Sequence, residues 1–283
     1  MIIIIVIILI LVIFNKTFIK ELFPKKTIIS NLTIGITTFN RPNALNETLK
    51  NINIHNKYKY NILISDHSET EIKIKNKRIV NKYKEYNNIK ILDLPFDSGL
   101  SKSRNLLVSK CKTKYLMILD DSRYFKEDLP ILKMIKFLEN TNYDLIGGRI
   151  LNRDKYSCLF NSINKKKKEI KIKCKENEKI NNNLFKKIYK TNIVTNTFIA
   201  KVKSLKNSPW RDELKLSEHA VFFYDFYKKG YKCAFSPEIE FHNVNKKNYK
   251  YEKNYQKLRE RPFNIKVPIS IVNIDDFLDN NKD

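Results

Sequence analysis

Four groups of polar residues in this sequence follow apolar segments or open helices, where side chains can meet a bound ligand. They are Thr37-Thr38-Phe39-Asn40-Arg41, Ser65-Asp66-His67-Ser68, the segment from Gly99 to Asn105 that includes Arg104, and Asp120-Asp121-Ser122. Each group alone is also typical of an ordinary turn or helix cap, because Thr, Asn, Ser and Asp favour both. Their order along one chain is the more informative feature.

The residue types suit the binding of a nucleoside diphosphate. Asp120 and Asp121 could hold a divalent cation that bridges phosphate oxygens and acts as a Lewis acid. Arg104 could bind a phosphate directly or orient the acidic pair. Asp66 could accept a hydrogen bond from a nucleobase N–H or from a ribose hydroxyl. We therefore expect these groups to lie together around a nucleotide whose diphosphate gains negative charge as it departs.

Alternating strands and helices are predicted to position these groups. Strands are predicted over 32–38, 61–65, 89–94 and 115–119 and from 143, and helices over 43–54, 100–110 and 129–139. Apolar strands joined by helices are typical of a parallel sheet that is covered on both faces. Such sheets bind ligands at the carboxyl ends of their strands. The sequence therefore predicts an α/β fold with a Rossmann-like, mostly parallel central sheet flanked by helices.

The second half of the chain contains a basic segment and an aromatic helix. Residues 163–190 are basic and low in complexity, which predicts an insert, a β-ribbon or an acceptor-side loop. A strand is predicted over 193–200. An amphipathic helix is predicted over 218–229, and its buried face would carry Phe222, Phe223, Phe226 and Tyr227.

Glu218 opens this aromatic helix, after a loop that contains Trp210 and Asp212. A carboxylate at a helix N-terminus over an apolar wall can be positioned as a general base. The simpler interpretation is that Glu218 only caps the helix. Asp212 is the second choice for the base, and His219 is expected to be structural.

Several motifs resemble those of the GT-A, family-2-like glycosyltransferases. They are TIGITTFNR, ISDHS, GLSKSRNLLVSKCKTKYLMILDD and LIGGRI, followed by WRDELKLSEHAVFFYDFYKKGYKCAFSPEIEFHN. The closest resemblance is to the β-1,4-N-acetylgalactosaminyltransferases of the ganglioside-synthase type, and it runs from about Leu32 to His242 outside the basic insert. It implies a GT-A fold and inverting transfer of a hexose or N-acetylhexosamine, GalNAc being the guess, from a UDP-sugar to a hydroxyl of a glycan or glycoconjugate.

The resemblance also implies roles for individual residues. The predicted donor-binding residues are Thr37, Thr38, Arg41, Asp66, Gly99, Arg104, Asn105 and Asp120. Asp121 and His242 are predicted to bind Mn²⁺ or Mg²⁺, Glu218 to be the base, and Trp210 to line the acceptor or sugar pocket.

One departure from the family pattern concerns the metal. The pattern has three acidic residues in a row, but the third position here is Ser122. The chain could therefore bind metal weakly, work without it with Arg123, Arg104 or a lysine as the charge partner, or lack activity. The alternative function is a degenerate, non-catalytic GT-A fold that binds glycans or anionic surfaces. A nucleic-acid or anionic-lipid binding module is the third hypothesis.

The N-terminus predicts an uncleaved membrane anchor, and a cleaved signal peptide is the rival interpretation, although neither a basic n-region nor a small-residue cleavage site is visible. Met1 to Phe14 is almost entirely Ile, Val and Leu, and the apolar segment reaches spanning length only if it continues to Ile19 past Lys16. The predicted organisation is an anchor over 1–19, a stem over 20–30, a GT-A domain over 31–260 and a C-terminal tail over 261–283. The orientation stays open, because the following lysines favour a cytosolic body whereas the resemblance favours a Golgi- or ER-like lumenal one.

The composition excludes some other classes. The 283 residues carry a net charge of +25, which fits anionic partners or merely lysine-rich solvated surfaces. No nucleic-acid recognition motif accompanies this charge, so no nucleic-acid partner is expected. None of the four cysteines forms a C-x-x-C pair, which argues against a zinc site.

Overall fold

The computed structural model describes residues 27–54, 58–151, 159–164, 169–173, 178–215, 218–244 and 270–271. The predicted anchor, the first part of the stem and nearly all of the predicted C-terminal tail lie outside the described residues. Within the described ranges, no helix combines the length and the apolar character that crossing a bilayer requires.

One half of the central sheet is parallel and contains the predicted strands. Its strands are β1 (Thr27–Thr38), β2 (Tyr58–Asp66), β3 (Asn88–Asp93) and β4 (Tyr115–Asp120). They lie side by side in the order β3-β2-β1-β4. The helices between them are α1 (Pro42–Ile54), α2 (Thr70–Asn81) and α3 (Gly99–Lys110). These alternations of parallel strands and helices are typical of a βαβ chain, and the predicted α/β fold is confirmed.

The other half of the sheet is mixed. Its strands are β5 (Arg123–Tyr124), β6 (Leu145–Ile150), β9 (Tyr189–Thr191), β10 (Phe198–Lys201) and β11 (Cys233–Asn243). Strand β10 is antiparallel to both β4 and β6, whereas β11 is parallel to β6. The helices of this half are α4 (Ile131–Asn140), α5 (Val202–Asn207) and α6 (Glu218–Lys228).

The basic insert contributes to a second, small sheet. Strands β7 (Leu159–Asn164) and β8 (Glu169–Lys173) form an antiparallel pair, and β12 (Ser270–Ile271) runs parallel to β8. Of the three forms predicted for the insert, a β-ribbon describes this part of it.

Apolar side chains bury both faces of the main sheet. On β4, Met117 and Leu119 belong to the cluster beneath α1 and α4, while Leu116 and Ile118 belong to the cluster beneath α3 and α6. This alternation follows from the two-residue period of a strand. At Gly35 of β1, an added Cβ would lie 3.1 Å from Leu107 of α3 and equally close to Leu116. Glycine therefore lets α3 pack tightly on the sheet beside the candidate site.

The sequence predictions differ from the structure at several places. Helix α2 was not predicted, because its central buried position is Asn76 rather than an apolar residue. Strand β10 begins at Phe198 instead of residue 193. Tyr227 was expected on the buried face of α6 but is 42% exposed, so the apolar face of that helix is narrower than its aromatic content indicated.

Candidate active site

The ends of three parallel strands meet at one edge of the sheet, as the sequence predicts. In the register of the sheet, Thr37 is paired with Ser65 on one side and with Asp120 on the other, and Thr38 is paired with Asp66. The polar groups that follow β1, β2 and β4 are therefore neighbours. Helices α3 and α6 bring Arg104 and Glu218 to the same edge.

Arg104 links the acidic motif to the candidate base. Its Nη2 donates to Asp120 Oδ1 at 3.3 Å, and its Nη1 donates to Glu218 Oε1. The guanidinium is fully buried, which would lower its pKa, but Glu218 and Asp120 outweigh this effect and the pKa is raised. Arg104 is thus a permanent buried cation between two carboxylates, and its Cζ lies 5.8 Å from the centre of the Trp210 ring.

Glu218 is held in place by further contacts. Asn196 Nδ2 donates to the same Oε1 atom at 3.4 Å, and Asn196 Oδ1 hydrogen-bonds His219 Nδ1. The Glu218 side chain is 4% exposed. It therefore opens α6 as predicted, with one fixed orientation at the buried side of the site, and His219 supports that arrangement.

Asp121 points away from Asp120 into a separate network. Its Oδ2 accepts hydrogen bonds from Thr38 Oγ1 at 2.9 Å and from Arg41 Nε at 3.2 Å, and Arg41 Nη2 donates to its Oδ1. The Thr48 hydroxyl donates to its backbone carbonyl at 2.6 Å. Burial raises the pKa of the Asp121 carboxyl to about 6, although Arg41 and Thr38 oppose the increase. Thr38, Arg41 and Asp121 therefore form a buried support beneath the site.

These contacts do not provide the ligand set of a metal site. Both carboxylate oxygens of Asp121 are held by Arg41 and Thr38, and Asp120 is paired with Arg104. The third position of the motif offers only the Ser122 hydroxyl. In the described ranges, no group of three or more His, Cys, Asp and Glu side chains could hold a metal ion. The contacts of Asp121 therefore do not support the metal-binding role predicted for it.

His242 does lie beside the acidic motif. Strand β11 pairs His242 with Tyr124 of β5, and the two rings stack with their centres 5.3 Å apart. Val244 N donates to the Ser122 carbonyl at 3.0 Å. His242 Nε2 is 3.5 Å from Glu240 Oε1. The structure thus places this histidine on the strand that pairs with β5, immediately after the acidic motif, and its role as a metal ligand stays a prediction.

Asp66 is buried, and its carboxylate accepts hydrogen bonds from the turn that follows β2 and from helix α2. Its Oδ1 accepts a hydrogen bond from Ser68 N at 2.9 Å, and its Oδ2 accepts one from Asn76 Nδ2 at 2.8 Å. These contacts fix the loop after β2. The predicted contact of Asp66 with a nucleoside would have to use the remaining lone pairs of the same oxygens.

His67 is a residue of this edge for which the sequence predicted no role. Its ring stacks on Phe39 with a centre separation of 4.6 Å, and among the described residues neither ring nitrogen has a hydrogen-bond partner. Burial is the largest cause of a shift that lowers its pKa to about 4. In the sequence, the only sign that His67 could matter is that it is a histidine. Its stacking and its burial arise from the fold.

Gly99 fixes the approach to helix α3. Its φ is +87°, and an added Cβ would lie 2.6 Å from Lys215 Cα. Leu100 N donates to the Lys215 carbonyl at 3.0 Å, and Lys215 Nζ pairs with Asp97 Oδ2 at 2.8 Å. Asp97 has a φ of 53° and Asn40 a φ of 50°, so two non-glycine residues of this edge also adopt the left-handed region. The loops around the site are therefore closely interlocked.

Asn105 holds the loop with the second candidate base. Its amide donates to Asp212 Oδ1 at 2.7 Å and to the Trp210 carbonyl at 2.8 Å, and its Oδ1 accepts from Trp210 N at 3.0 Å. Asp212 is exposed. The Trp210 ring is 2% exposed and stacks on Phe222, with the ring centres 4.0 Å apart. Trp210 is therefore part of the wall beneath α6, whereas Asp212 faces solvent at its rim.

The model of the family described as "Glycosyl transferase family 2" matches residues 33–202, which is more than half of the chain. The chain therefore belongs to glycosyltransferase family 2. It is 30% identical over 129 residues to β-1,4 N-acetylgalactosaminyltransferase 2 of Mus musculus, a match that covers 45% of this chain and 23% of that protein. It is 37% identical over 57 residues to β-1,4 N-acetylgalactosaminyltransferase 1 of Homo sapiens, covering 20% and 11% respectively. The matched part thus spans less than a quarter of these relatives.

Solved structures show the same fold at low sequence identity. S. aureus TarS 1–349 in complex with UDP-GlcNAc has a TM-score of 0.55 and 14% identity, and the match covers 78% of this chain and 60% of that one. GalNAc-T7 with UDP, GalNAc and Mn²⁺ has a TM-score of 0.55 and 13% identity, covering 76% and 44%. The mannosyltransferase PcManGT from Pyrobaculum calidifontis, in complex with GDP-Man and Mn²⁺, has a TM-score of 0.55 and 12% identity, covering 81% and 60%. These neighbours confirm the GT-A fold.

Proposed function

We propose that this chain transfers a hexose or N-acetylhexosamine from a UDP-sugar to a hydroxyl group of a glycan or glycoconjugate. The observation that carries the proposal is the buried chain of contacts from Asp120 through Arg104 to Glu218, at the carboxyl ends of β1, β2 and β4. Ligands of such sheets bind at this edge. The identity to β-1,4 N-acetylgalactosaminyltransferases makes UDP-GalNAc the first donor to test.

The proposed reaction inverts the configuration of the sugar. A carboxylate accepts the proton of the acceptor hydroxyl, and the oxygen of that hydroxyl forms a bond to the anomeric carbon. The bond between this carbon and the β-phosphate oxygen breaks on the opposite side, and UDP leaves with the electron pair. The mouse and human relatives support this choice of reaction.

Glu218 is the proposed base, and Asp212 is the second choice. Arg104 and Asn196 both contact Oε1 of Glu218 and hold its side chain in one orientation. A fixed orientation lowers the entropy lost in reaching the reactive geometry. Asp212 is exposed at the rim and held by Asn105, so it would act on an acceptor that reaches the site from solvent.

The family's divalent metal has no step in this mechanism, because the described residues do not fit it. Arg104 is the buried positive charge next to Asp120. Its raised pKa keeps it protonated at any ordinary pH, so its charge can stabilise negative charge at this edge of the sheet. The third position of the acidic motif, Ser122, is the feature that separates this chain from a metal-binding pattern.

A second candidate function is a non-catalytic glycan-binding fold. Ser122 and the engaged oxygens of Asp121 favour it. The two functions differ in one observable, because a binding fold retains affinity for donor or glycan but releases no UDP.

We also propose that residues 1–19 anchor the protein in a membrane, because their sequence is largely apolar. Their orientation decides whether the site meets lumenal or cytosolic acceptors.

The test is a transfer assay with the full chain in detergent. UDP-GalNAc, UDP-GlcNAc, UDP-Gal and UDP-Glc are each offered with a panel of glycan acceptors, and the products are identified by mass spectrometry. A product heavier by one sugar residue supports the proposal and names the donor. Binding of donor or glycan with no product from any combination would support the non-catalytic fold.

A further inference from the structure

Nine lysines lie on three segments that adjoin at the edge of the sheet opposite the candidate active site. The segments are 110–114, 201–207 and 228–232, and they contain no acidic residue. Eight of these lysines are exposed and form what we call the lysine surface: Lys110, Lys112, Lys114, Lys203, Lys206, Lys228, Lys229 and Lys232. Glu139 and Asp144 from neighbouring elements contact these segments, but lysines outnumber these carboxylates on the surface.

Hydrogen bonds from backbone and side-chain groups hold the three segments together. Val202 N donates to the Lys114 carbonyl at 3.0 Å. Lys229 Nζ donates to the Asn207 carbonyl at 2.6 Å. Asp144 links segments 201–207 and 228–232 a second time, because its carboxylate accepts hydrogen bonds from Ser204 Oγ at 2.7 Å and from Lys232 N at 3.0 Å. The lysines are thus displayed on one continuous, rigid surface.

A groove of about 390 Å³ runs across this surface. It is lined by Thr113, Lys114, Val202, Lys203, Lys206 and Asn207. In the described ranges, the ion pair from Lys114 Nζ to Glu139 at 3.7 Å is the one salt bridge formed by a lysine of the surface. Both of its side chains are exposed, so solvent screens it strongly. The remaining positive charge is available to an anionic partner.

The N-terminal part of the chain enters the sheet beside this groove. Thr33 of β1 hydrogen-bonds Thr113 through their hydroxyls at 2.8 Å. Thirteen residues separate Thr33 from Ile19, the last residue of the apolar N-terminal segment. Even fully extended, they span at most about 50 Å. An apolar segment inserted in a bilayer therefore keeps the lysine surface near the membrane.

We propose that the lysine surface binds the anionic headgroups of a membrane. Clustered lysines close to an inserted apolar segment are attracted by anionic lipids, and the attraction extends over about a Debye length. The intervening Lys20, Lys25 and Lys26 add charge of the same sign. The inference rests on the proposed N-terminal anchor and does not depend on the proposed sugar transfer.

This docking fixes the direction in which the candidate active site faces. Lys114 immediately precedes β4 and Asp120 ends it, so about 20 Å of strand separates the surface from the acidic motif. With the lysine surface on the membrane, the site opens away from the bilayer. It would then meet soluble glycans or glycans that extend well above the lipid.

The test is lysine footprinting on the full chain reconstituted in vesicles. An amine-reactive, membrane-impermeant reagent is applied to vesicles of phosphatidylcholine and to vesicles of phosphatidylcholine mixed with phosphatidylserine. We expect the reactivity of Lys203 and Lys206 to fall at least about threefold in the anionic vesicles and to recover in high salt. Lys75, Lys126 and Lys186, which are exposed and lie toward the active-site end of the sheet, are expected to keep their reactivity.

Two variants with equal loss of charge provide the control. Lys114→Gln/Lys203→Gln/Lys206→Gln should abolish the protection of Lys112 and Lys229, whereas Lys75→Gln/Lys126→Gln/Lys186→Gln should leave it intact. Equal protection of all lysines, or none that depends on phosphatidylserine, would overturn the proposal. So would protection of the same lysines by added duplex RNA or DNA in phosphatidylcholine vesicles, which would assign the surface to nucleic acid.

Discussion

The guanidinium of Arg104 lies between the carboxylates of Asp120 and Glu218 and joins the end of β4 to the first turn of α6. All three groups belong to different elements, and Arg104 itself is fully buried. The arrangement couples the predicted donor side of the site to the predicted base. It also makes the arginine a structural group as well as an electrostatic one.

Arg104→Met should lower both stability and activity. The substitution leaves two carboxylates without their cation, and breaking a buried ion pair from one side costs about 3–5 kcal/mol of unfolding free energy. Urea unfolding measures the loss of stability, and Arg78→Met on the exposed face of α2 is the matched control. Arg104→Lys should recover part of the stability but little activity, because an ammonium cannot reproduce the forked contact. Full activity in Arg104→Met would contradict the role of this cation.

Ser122→Asp should create a metal site. It places a third acidic residue directly after Asp121, on the segment that pairs with the strand of His242, and carboxylate and imidazole are ligands suited to Mn²⁺. We expect the affinity for Mn²⁺ to rise at least tenfold, or about 1.4 kcal/mol. The change is measured by electron paramagnetic resonance titration of free Mn²⁺, which needs no enzyme activity. Ser109→Asp, on the exposed side of α3, is the control, and equal Mn²⁺ binding by the wild type and both variants would refute the prediction.

Gly99→Ala should loosen the start of α3. The new Cβ would meet Lys215 Cα at 2.6 Å, in a backbone conformation with a φ of +87°. Gly230→Ala is the matched control, because Gly230 has a φ of +80° but open space around it. Both variants lose about 1–2 kcal/mol to the left-handed conformation, and Gly99→Ala should lose more and bind UDP more weakly. Thermal unfolding and UDP titration measure the two effects. Identical behaviour of the two variants would show that the contact with Lys215 does not matter.

His67 should make the fold sensitive to acid. Its pKa is about 4 in the fold and about 6.5 in the unfolded chain. The unfolded state therefore binds more protons between these values, so stability is fully present above about pH 6.5 and falls as the pH falls towards 4. At about pH 5 the loss is roughly 2 kcal/mol.

His67→Phe should remove this part of the acid sensitivity. Phenylalanine keeps the stacking on Phe39 and deletes two ring nitrogens for which no partner is described, so stability near neutral pH should change little. Urea unfolding of the wild type and the variant, near neutral pH and at about pH 5, measures the free energy that each loses on acidification. A wild type and a variant that lose the same free energy on acidification would show that His67 is not the group responsible.

The parallel half of the fold was predictable, because each of its strands is a continuous apolar run. Helix α2 was not, since Asn76 occupies its buried centre in order to bond Asp66. Strand β5 has two residues and leaves no periodicity to detect. The local sequence pattern therefore identifies elements with a continuous apolar pattern. It misses elements that are stabilised by contacts with residues distant in the sequence.

The site was predictable as a set of positions but not as a set of contacts. Strand ends brought Thr37, Asp66 and Asp120 together, as parallel pairing requires. The sequence could not show that consecutive aspartates separate, with Asp120 facing Arg104 and Asp121 turned to Arg41. That division depends on residues 16 and 80 positions away in the chain, and only the fold brings them close.

The release of UDP by matched carboxylate variants tests the central claim most directly. Wild type, Glu218→Gln, Asp212→Asn and Glu85→Gln are compared with the donor that gives product, where Glu85 is an exposed residue in the turn before β3. We expect wild-type release from Glu85→Gln, a decrease of at least about 100-fold in Glu218→Gln, and a smaller decrease in Asp212→Asn. The reverse order would move the base to Asp212 and keep the transfer. If the wild type itself releases no UDP from any UDP-sugar, with or without acceptor, the chain is not the transferase proposed here.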